Sequence, residues 1–214
     1  MTTIKKPALI VVDYQHGFAS PNGWLSVPWW DTIWNTIKQL VDLFMEKWRD
    51  VIFTWDDHPA NHISFAENHW VAPFTIVNWE TVWPTHCVRD TEWVNLYAPF
   101  DTWDYKISIK KWYEKEIDSY SWFGWVTLDE TMTLDEVLQS KWITDTYVVW
   151  LATDWCSWDT ALDSANNWYR TTFVTDANKW VNDEASEAKI QKMRDTKKII
   201  LQTAEEAITT LLAA

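Results

Sequence analysis

Apolar and polar positions along the chain switch between two rhythms. Ala8 to Tyr14 (ALIVVDY) is a continuous apolar run broken only by Asp13, the pattern of a strand buried on both faces. Asp31 to Trp48 follows with helical spacing, its apolar residues at Ile33, Ile37, Leu40, Val41, Phe44 and Met45, and Asp31 is the expected N-cap. Asp50 to Thr54 is a second strand. From Trp55 to Asp101 the rhythm dissolves into a long stretch rich in Pro, His and Asn, as functional loops are. Alternation returns with a short strand over Tyr105 to Ile109. A helix follows over Thr133 to Lys141, where Thr133 and Glu136 form a capping box. Tyr147 to Ala152 reads as a strand, Cys156 to Trp168 as a helix and Thr171 to Asp176 as a strand. A helix from Asp183 to about Asp195, a strand near Lys198 to Leu201 and a closing helix complete the chain.

Strands alternating with helices predict an α/β fold: a three-layer sandwich, with a mostly parallel sheet and helices on both faces. No repeat, linker or low-complexity segment interrupts the 214 residues, so a single domain over 1–214 is expected. Ligands of such sheets bind beyond the carboxyl ends of the strands. Asp13, Asp56 and Cys156 all fall at those ends.

Composition narrows the partners. A formal net charge of −13 and a pI of about 4.7 argue against a nucleic-acid backbone or an anionic membrane as partner. No apolar run approaches the roughly 20 residues that cross a bilayer, and Met1 to Lys6 is too short and polar for a signal peptide. With only Cys87 and Cys156 there is no disulfide framework, and a reducing, cytoplasmic setting is expected. The 20 Trp against 3 Gly are unusual. Trp48, Trp142 and Trp168 stand just past helices, at the position where left-handed backbone selects glycine and a Cβ carries a steric cost.

Several residues carry candidate chemistry. Cys156 lies where a strand gives way to a helix, so unpaired backbone N–H groups favour its thiolate; a buried, inert thiol is the alternative. Asp13, closing a buried strand, suits a general base for that thiol, or else caps the loop that follows. Lys110 and Lys111 both follow the strand ending at Ile109, and either cation would lower the thiol pKa. Asp56 and His58, two apart in an extended segment, point the same way and can share an ion. His86 from a separate loop completes a mixed oxygen and nitrogen set suited to Zn, Fe or Mn. Phe18 and the loop Asp118 to Phe123, with Tyr120, can wall a pocket for a flat ring or simply pack. Cys87, beside His86, reads as structural.

Five segments together resemble the nicotinamidases of the isochorismatase-like cysteine hydrolase superfamily: ALIVVDYQHGF, DDHPANHISFAENH, VWPTHCV, IKKWYEKEIDSYSWF and LATDWCSWDTALDSA. The resemblance runs from about residue 8 to the tail in the family's order, and the DxH loop with WPxHC and DSYS favours nicotinamidase within it. It implies a catalytic triad of Asp13, Lys111 and Cys156, and it selects Lys111 over Lys110. It implies one divalent metal ion (Zn, Fe or Mn) on Asp56, His58 and His86, with His62 in some members a further ligand or a residue that supports the ligands from behind. It also implies a cis peptide at Leu151-Ala152, an oxyanion hole from the N–H groups of Ala152 and Cys156, and Phe18, Tyr120 and Trp155 around the substrate. The activity implied is conversion of nicotinamide to nicotinate and ammonia through a Cys thioester, a step of NAD salvage, with a homo-oligomer left open. Hydrolysis of another small amide, or a binding protein disabled by Trp112 and Trp150 where the family has glycine, are the alternatives.

Overall fold

No polar residue interrupts the first strand, and in the computed structural model all six residues of β1 (Pro7–Val12) are buried. The structure describes residues 5–47, 49–101, 107–110 and 115–213. After β1 come α1 (His16–Ala19), α2 (Trp34–Glu46), β2 (Asp50–Trp55), β3 (Ile76–Val77), β4 (Glu80–Thr81), β5 (Ser108–Lys110) and β6 (Val126–Thr127). The remainder is α3 (Leu134–Ser140), β7 (Asp145–Leu151), α4 (Cys156–Asn166), β8 (Arg170–Lys179), α5 (Asp183–Thr196), β9 (Ile199–Gln202) and α6 (Ala204–Leu212). The main sheet runs β6-β5-β2-β1-β7-β8-β9, parallel throughout except for the β5–β6 edge, and β3–β4 is a separate small hairpin.

Period-two alternation of β1 sorts the core into two layers. Leu9 and Val11 pack with Ile37, Leu40 and Phe44 of α2 and with Ala207 and Leu211 of α6. Ala8, Ile10 and Val12 pack with Leu138 of α3, Ala161 of α4 and Met193 of α5. Helices therefore cover both faces, as the sequence rhythm requires.

Boundaries differ where tertiary contacts override local signals. Asp31 is not an N-cap: it sits in a 3-10 turn, Trp30–Thr32, and α2 starts later with Ile33 at its N-cap and no side-chain cap bond. Trp29, at φ 62°, turns the chain there, so the entry is set by backbone direction rather than by a capping side chain. The Thr133/Glu136 capping box is present on α3. Trp48, the first two residues of the strand expected over Tyr105 to Ile109 (Tyr105 and Lys106), Lys111 and Trp112 lie outside the described residues. The helix α1 and the strand β6 are too short to leave a periodic signal.

Two irregularities shape the carboxyl edge of the sheet. Between β7 and β8 the register slips, so that Val148 pairs with Phe173 but Trp150 with Asn178. The buried Asn178 amide fills the gap, donating to Val148 O at 3.2 Å and Val174 O at 2.7 Å. Trp150, fully buried at φ 104°, stacks on Tyr14 with ring centroids 4.1 Å apart. A side chain in that region of backbone space is disfavoured, and the stacked aromatic packing offsets part of the cost.

Candidate active site

Because β1, β2, β5 and β7 run parallel, their carboxyl ends deliver side chains to one edge. β1 delivers Asp13. The chain turns there at φ 56°, and the carboxylate Oδ1 accepts a hydrogen bond of 2.6 Å from Thr54 Oγ1. The same hydroxyl accepts from the Asp13 N–H at 2.9 Å, so one fully buried Thr of β2 grips both backbone and side chain of the acid. β7 delivers Ala152 through a cis Leu151–Ala152 peptide, and the next turn brings Cys156 to the first position of α4. The half-buried thiol thus faces the helix N-terminus, where the dipole favours the thiolate.

Asp154 anchors that turn. Its buried carboxylate accepts from Val181 N at 3.1 Å and Asn182 N at 2.9 Å, at the entry to α5. Burial pushes this carboxyl up from the ordinary range, against the two N–H bonds that pull it down.

β2 delivers Asp56, which lies 3.0 Å (Oδ1) from His58 Nε2 and 3.3 Å (Oδ2) from His86 Nε2. Each of the three buried residues offers one ligand atom, all within 4.8 Å of one another. The orientation of the rings fits a divalent ion as well: His86 Nδ1–H donates to Pro84 O at 2.7 Å, which leaves Nε2 as the nitrogen that faces Asp56. The two loops that carry the histidines are bonded to each other, His58 N to Cys87 O at 3.0 Å and Arg89 N to His58 O at 2.8 Å. Arg89 also holds Asp57 through Nε, 3.1 Å from both carboxylate oxygens. Burial raises the Asp57 carboxyl all the same, with Arg89 opposing.

His62 is arranged differently. Its Nδ1 meets Ser64 Oγ at 2.7 Å and its Nε2 meets Ile117 O at 2.9 Å, so both ring nitrogens are engaged away from the three-donor set. Cys87 is buried and packs on Gly17, where any Cβ would lie 2.6 Å from Sγ, in keeping with a structural thiol. Lys110 pairs with Glu130 at 3.1 Å. Lys111 lies outside the described residues.

One cavity joins these groups. Asp13, Ala152 and Cys156 line it, as do Asp56, His58 and His86. Phe18, Tyr120 and Trp155 line it as well, together with Trp83. Trp83 meets Trp155 edge to face at 4.6 Å, and its Nε1–H donates to Tyr120 OH at 3.2 Å. Burial pushes the Tyr120 phenol well above its usual range. Aromatic rings and the polar groups of both clusters thus border the same cavity. Of the ten site residues expected from sequence, nine border it.

Comparison with known proteins agrees with this arrangement. The model of the isochorismatase domain matches residues 7–206. The chain belongs to the isochorismatase family. Within that family it is 35% identical over 184 residues to a nicotinamidase of Acinetobacter baylyi, a match covering 84% of each chain. A solved nicotinamidase and pyrazinamidase of Acinetobacter baumanii superposes with a TM-score of 0.80 at 33% identity, over 96% of this chain and 99% of that one. The pyrazinamidase of Pyrococcus horikoshii, solved in complex with zinc, gives a TM-score of 0.78 at 30% identity, over 92% and 99%.

Sequence alone assigns no role to three residues of this isochorismatase-family site. Thr54 is an ordinary strand residue until Asp13 is seen beside it. Gln15 is fully buried and bonded to Asp56, 41 positions away. Trp83 stands in the WPTH segment, but only the folded chain shows it lining the cavity.

Proposed function

We propose that this chain hydrolyses nicotinamide to nicotinate and ammonia. The observation that carries the reading is a thiol at a helix N-terminus sharing one aromatic-lined cavity with a buried acid and a three-donor metal set. A pyridine ring suits the walls made by Trp83, Trp155 and Tyr120, and its carboxamide then lies where Asp13 and Cys156 sit.

Asp13 takes the Cys156 proton, and the thiolate adds to the carboxamide carbon. The oxyanion that forms accepts from the peptide N–H groups of Ala152 and Cys156. Asp13 then returns the proton to the departing nitrogen, releasing ammonia and leaving a thioester on Cys156. A water molecule, deprotonated by Asp13, attacks the thioester to give nicotinate and restore the thiol. Lys111 keeps the Asp13 carboxylate ionised. Asp56, His58 and His86 would hold one divalent ion, Zn, Fe or Mn, which when bound would supply Lewis-acid chemistry in the cavity. The same reading carries one domain over 1–214, a cytoplasmic NAD-salvage enzyme with a small-molecule substrate and no nucleic-acid or membrane partner, open to assembly as a homo-oligomer. Among the described residues no helix is long and apolar enough to cross a membrane.

Ammonia release from nicotinamide, measured for the wild type and Cys156→Ala, tests the reading, with pyrazinamide and simple aliphatic amides run alongside. Loss in the variant supports it. Undiminished release from Cys156→Ala, or wild-type turnover confined to amides without a ring, overturns it.

A further inference from the structure

The ligand Asp56 sits one residue beyond the end of its strand. The ladder with β5 stops at Trp55, and the ladder with β1 stops two residues earlier, at Phe53. At this depth β1 has already turned away at Asp13. The sheet therefore offers the Asp56 peptide no neighbouring strand on the β1 side, although the residue is buried and its N–H and C=O need partners.

The amide of Gln15 supplies them. Its Oε1 accepts from Asp56 N–H at 2.7 Å, and its Nε2 donates to Asp56 O at 2.7 Å, the same donor-and-acceptor pair that a peptide of an adjacent strand would present. The second proton of Nε2 goes to Val94 O, also at 2.7 Å. Three bonds use the amide fully apart from one acceptor lone pair, and the residue is fully buried. Its own backbone is fixed in turn: Gln15 N–H donates to Asp13 O at 2.8 Å, and Gln15 O accepts from Phe18 N and Ala19 N. A carboxylate in this place would face two carbonyl oxygens, and an aliphatic chain would remove both bonds to Asp56. Only a side-chain amide of this length answers the geometry.

We propose that Gln15 is a positioning residue for the metal site: it replaces a missing strand and holds Asp56 in register with His58 and His86, two residues from the acid Asp13. The inference rests on the metal reading given above. It predicts that loss of the amide lets the Asp56 carboxylate wander relative to the two imidazoles, and that metal affinity falls before the fold does. Outer-shell partners of metal ligands typically contribute about 10–100-fold in affinity.

The test uses metal-stripped full-length protein and zinc sulfate alone as probe, with affinity read by competition against a fluorescent chelator. Wild type, Gln15→Met and Gln15→Asn are compared; Asn keeps an amide that is one methylene too short to reach Asp56, and serves if Met in the core prevents folding. Thr146→Val is the control. It removes a buried hydroxyl bonded to Ser164 Oγ at 2.7 Å, far along β7 from the ligands, and so lowers stability without touching the site. The expected result is zinc binding about 10–100-fold weaker in the folded Gln15 variants, and unchanged within about twofold in Thr146→Val even where its melting temperature falls as far. Gln15 variants that bind zinc like the wild type overturn the inference and leave the metal reading standing, as does a control that loses as much. A wild type that binds no zinc overturns both at once.

Discussion

Replacing Trp168 by glycine and by alanine should give the opposite order of stability from the usual one. Trp168 follows α4 at φ 72°, and the helix ends in a Schellman arrangement around it: Trp168 N–H bonds Ala165 O at 3.4 Å and Tyr169 N–H bonds Ser164 O at 3.2 Å. The indole is 95% exposed, so it contributes little burial: about 5% of roughly 250 Å², which is worth about 0.3 kcal/mol. The Cβ is what matters. Left-handed backbone costs a residue with a Cβ about 1–2 kcal/mol. Glycine avoids that but loses about 0.4–1 kcal/mol through the greater freedom of its unfolded chain. Trp168→Gly should therefore be more stable than Trp168→Ala by about 0.5–1 kcal/mol, or about 1–4 °C in melting temperature for a chain of this length. At an ordinary helical position glycine is worse than alanine by about as much. Urea titration and calorimetry of the two variants at equal concentration provide the assay. If Trp168→Ala proves as stable as Trp168→Gly, the C′ strain is not real and the reasoning fails. Trp142, at φ 58° after α3 with the same pair of bonds, offers an independent repeat.

Other expectations follow from the site and the core. Thr54→Val removes a hydrogen bond to a carboxylate worth about 1.5–3 kcal/mol; steady-state kinetics on nicotinamide should show kcat down at least about tenfold with KM little changed, and a normal kcat would remove Thr54 from the mechanism. Asp56→Ala and His86→Ala should each abolish stoichiometric zinc uptake, measured by elemental analysis of dialysed protein, and chelation of the wild type should suppress ammonia release until metal is restored. Burial raises the phenols of Tyr14, Tyr120 and Tyr169. The folded forms hold protons that the unfolded chain releases near pH 10, so their contribution is intact below that pH and is lost as pH climbs above it. Urea midpoints should fall between pH 9 and pH 11, and less in Tyr14→Phe; phenolate absorbance appearing without unfolding would contradict this.

Legibility from sequence followed the range of the interaction. Strand ends could be read because a parallel sheet writes them as apolar runs closed by polar residues, and that alone brought Asp13, Asp56 and Cys156 to one edge. Histidine clustering in the long irregular segment brought His58 and His86 together. Thr54 and Gln15 stayed hidden, since a threonine in a strand and a glutamine after one are unremarkable until their partner 41 residues away is placed. The N-cap of α2 was misread for a related reason: Asp31 has the right chemistry for a cap, but the turn at Trp29 fixes where the helix begins. His62 shows the converse, a residue with ligand chemistry whose nitrogens the fold has committed to Ser64 and Ile117.

The side-chain amides of Gln15 and Asn178, each set where neighbouring strands part company, bear on transplantation. Copying the acids, histidines and cysteine of this edge onto another parallel sheet would carry the reactive groups but not the ragged strand ends that present them. A recipient sheet with flush ends would lift Asp56 and the turn before Cys156 to different heights. The minimal graft is accordingly larger than the list of reactive groups by these two amides, and a designer scoring buried positions for hydrophobicity would erase them first.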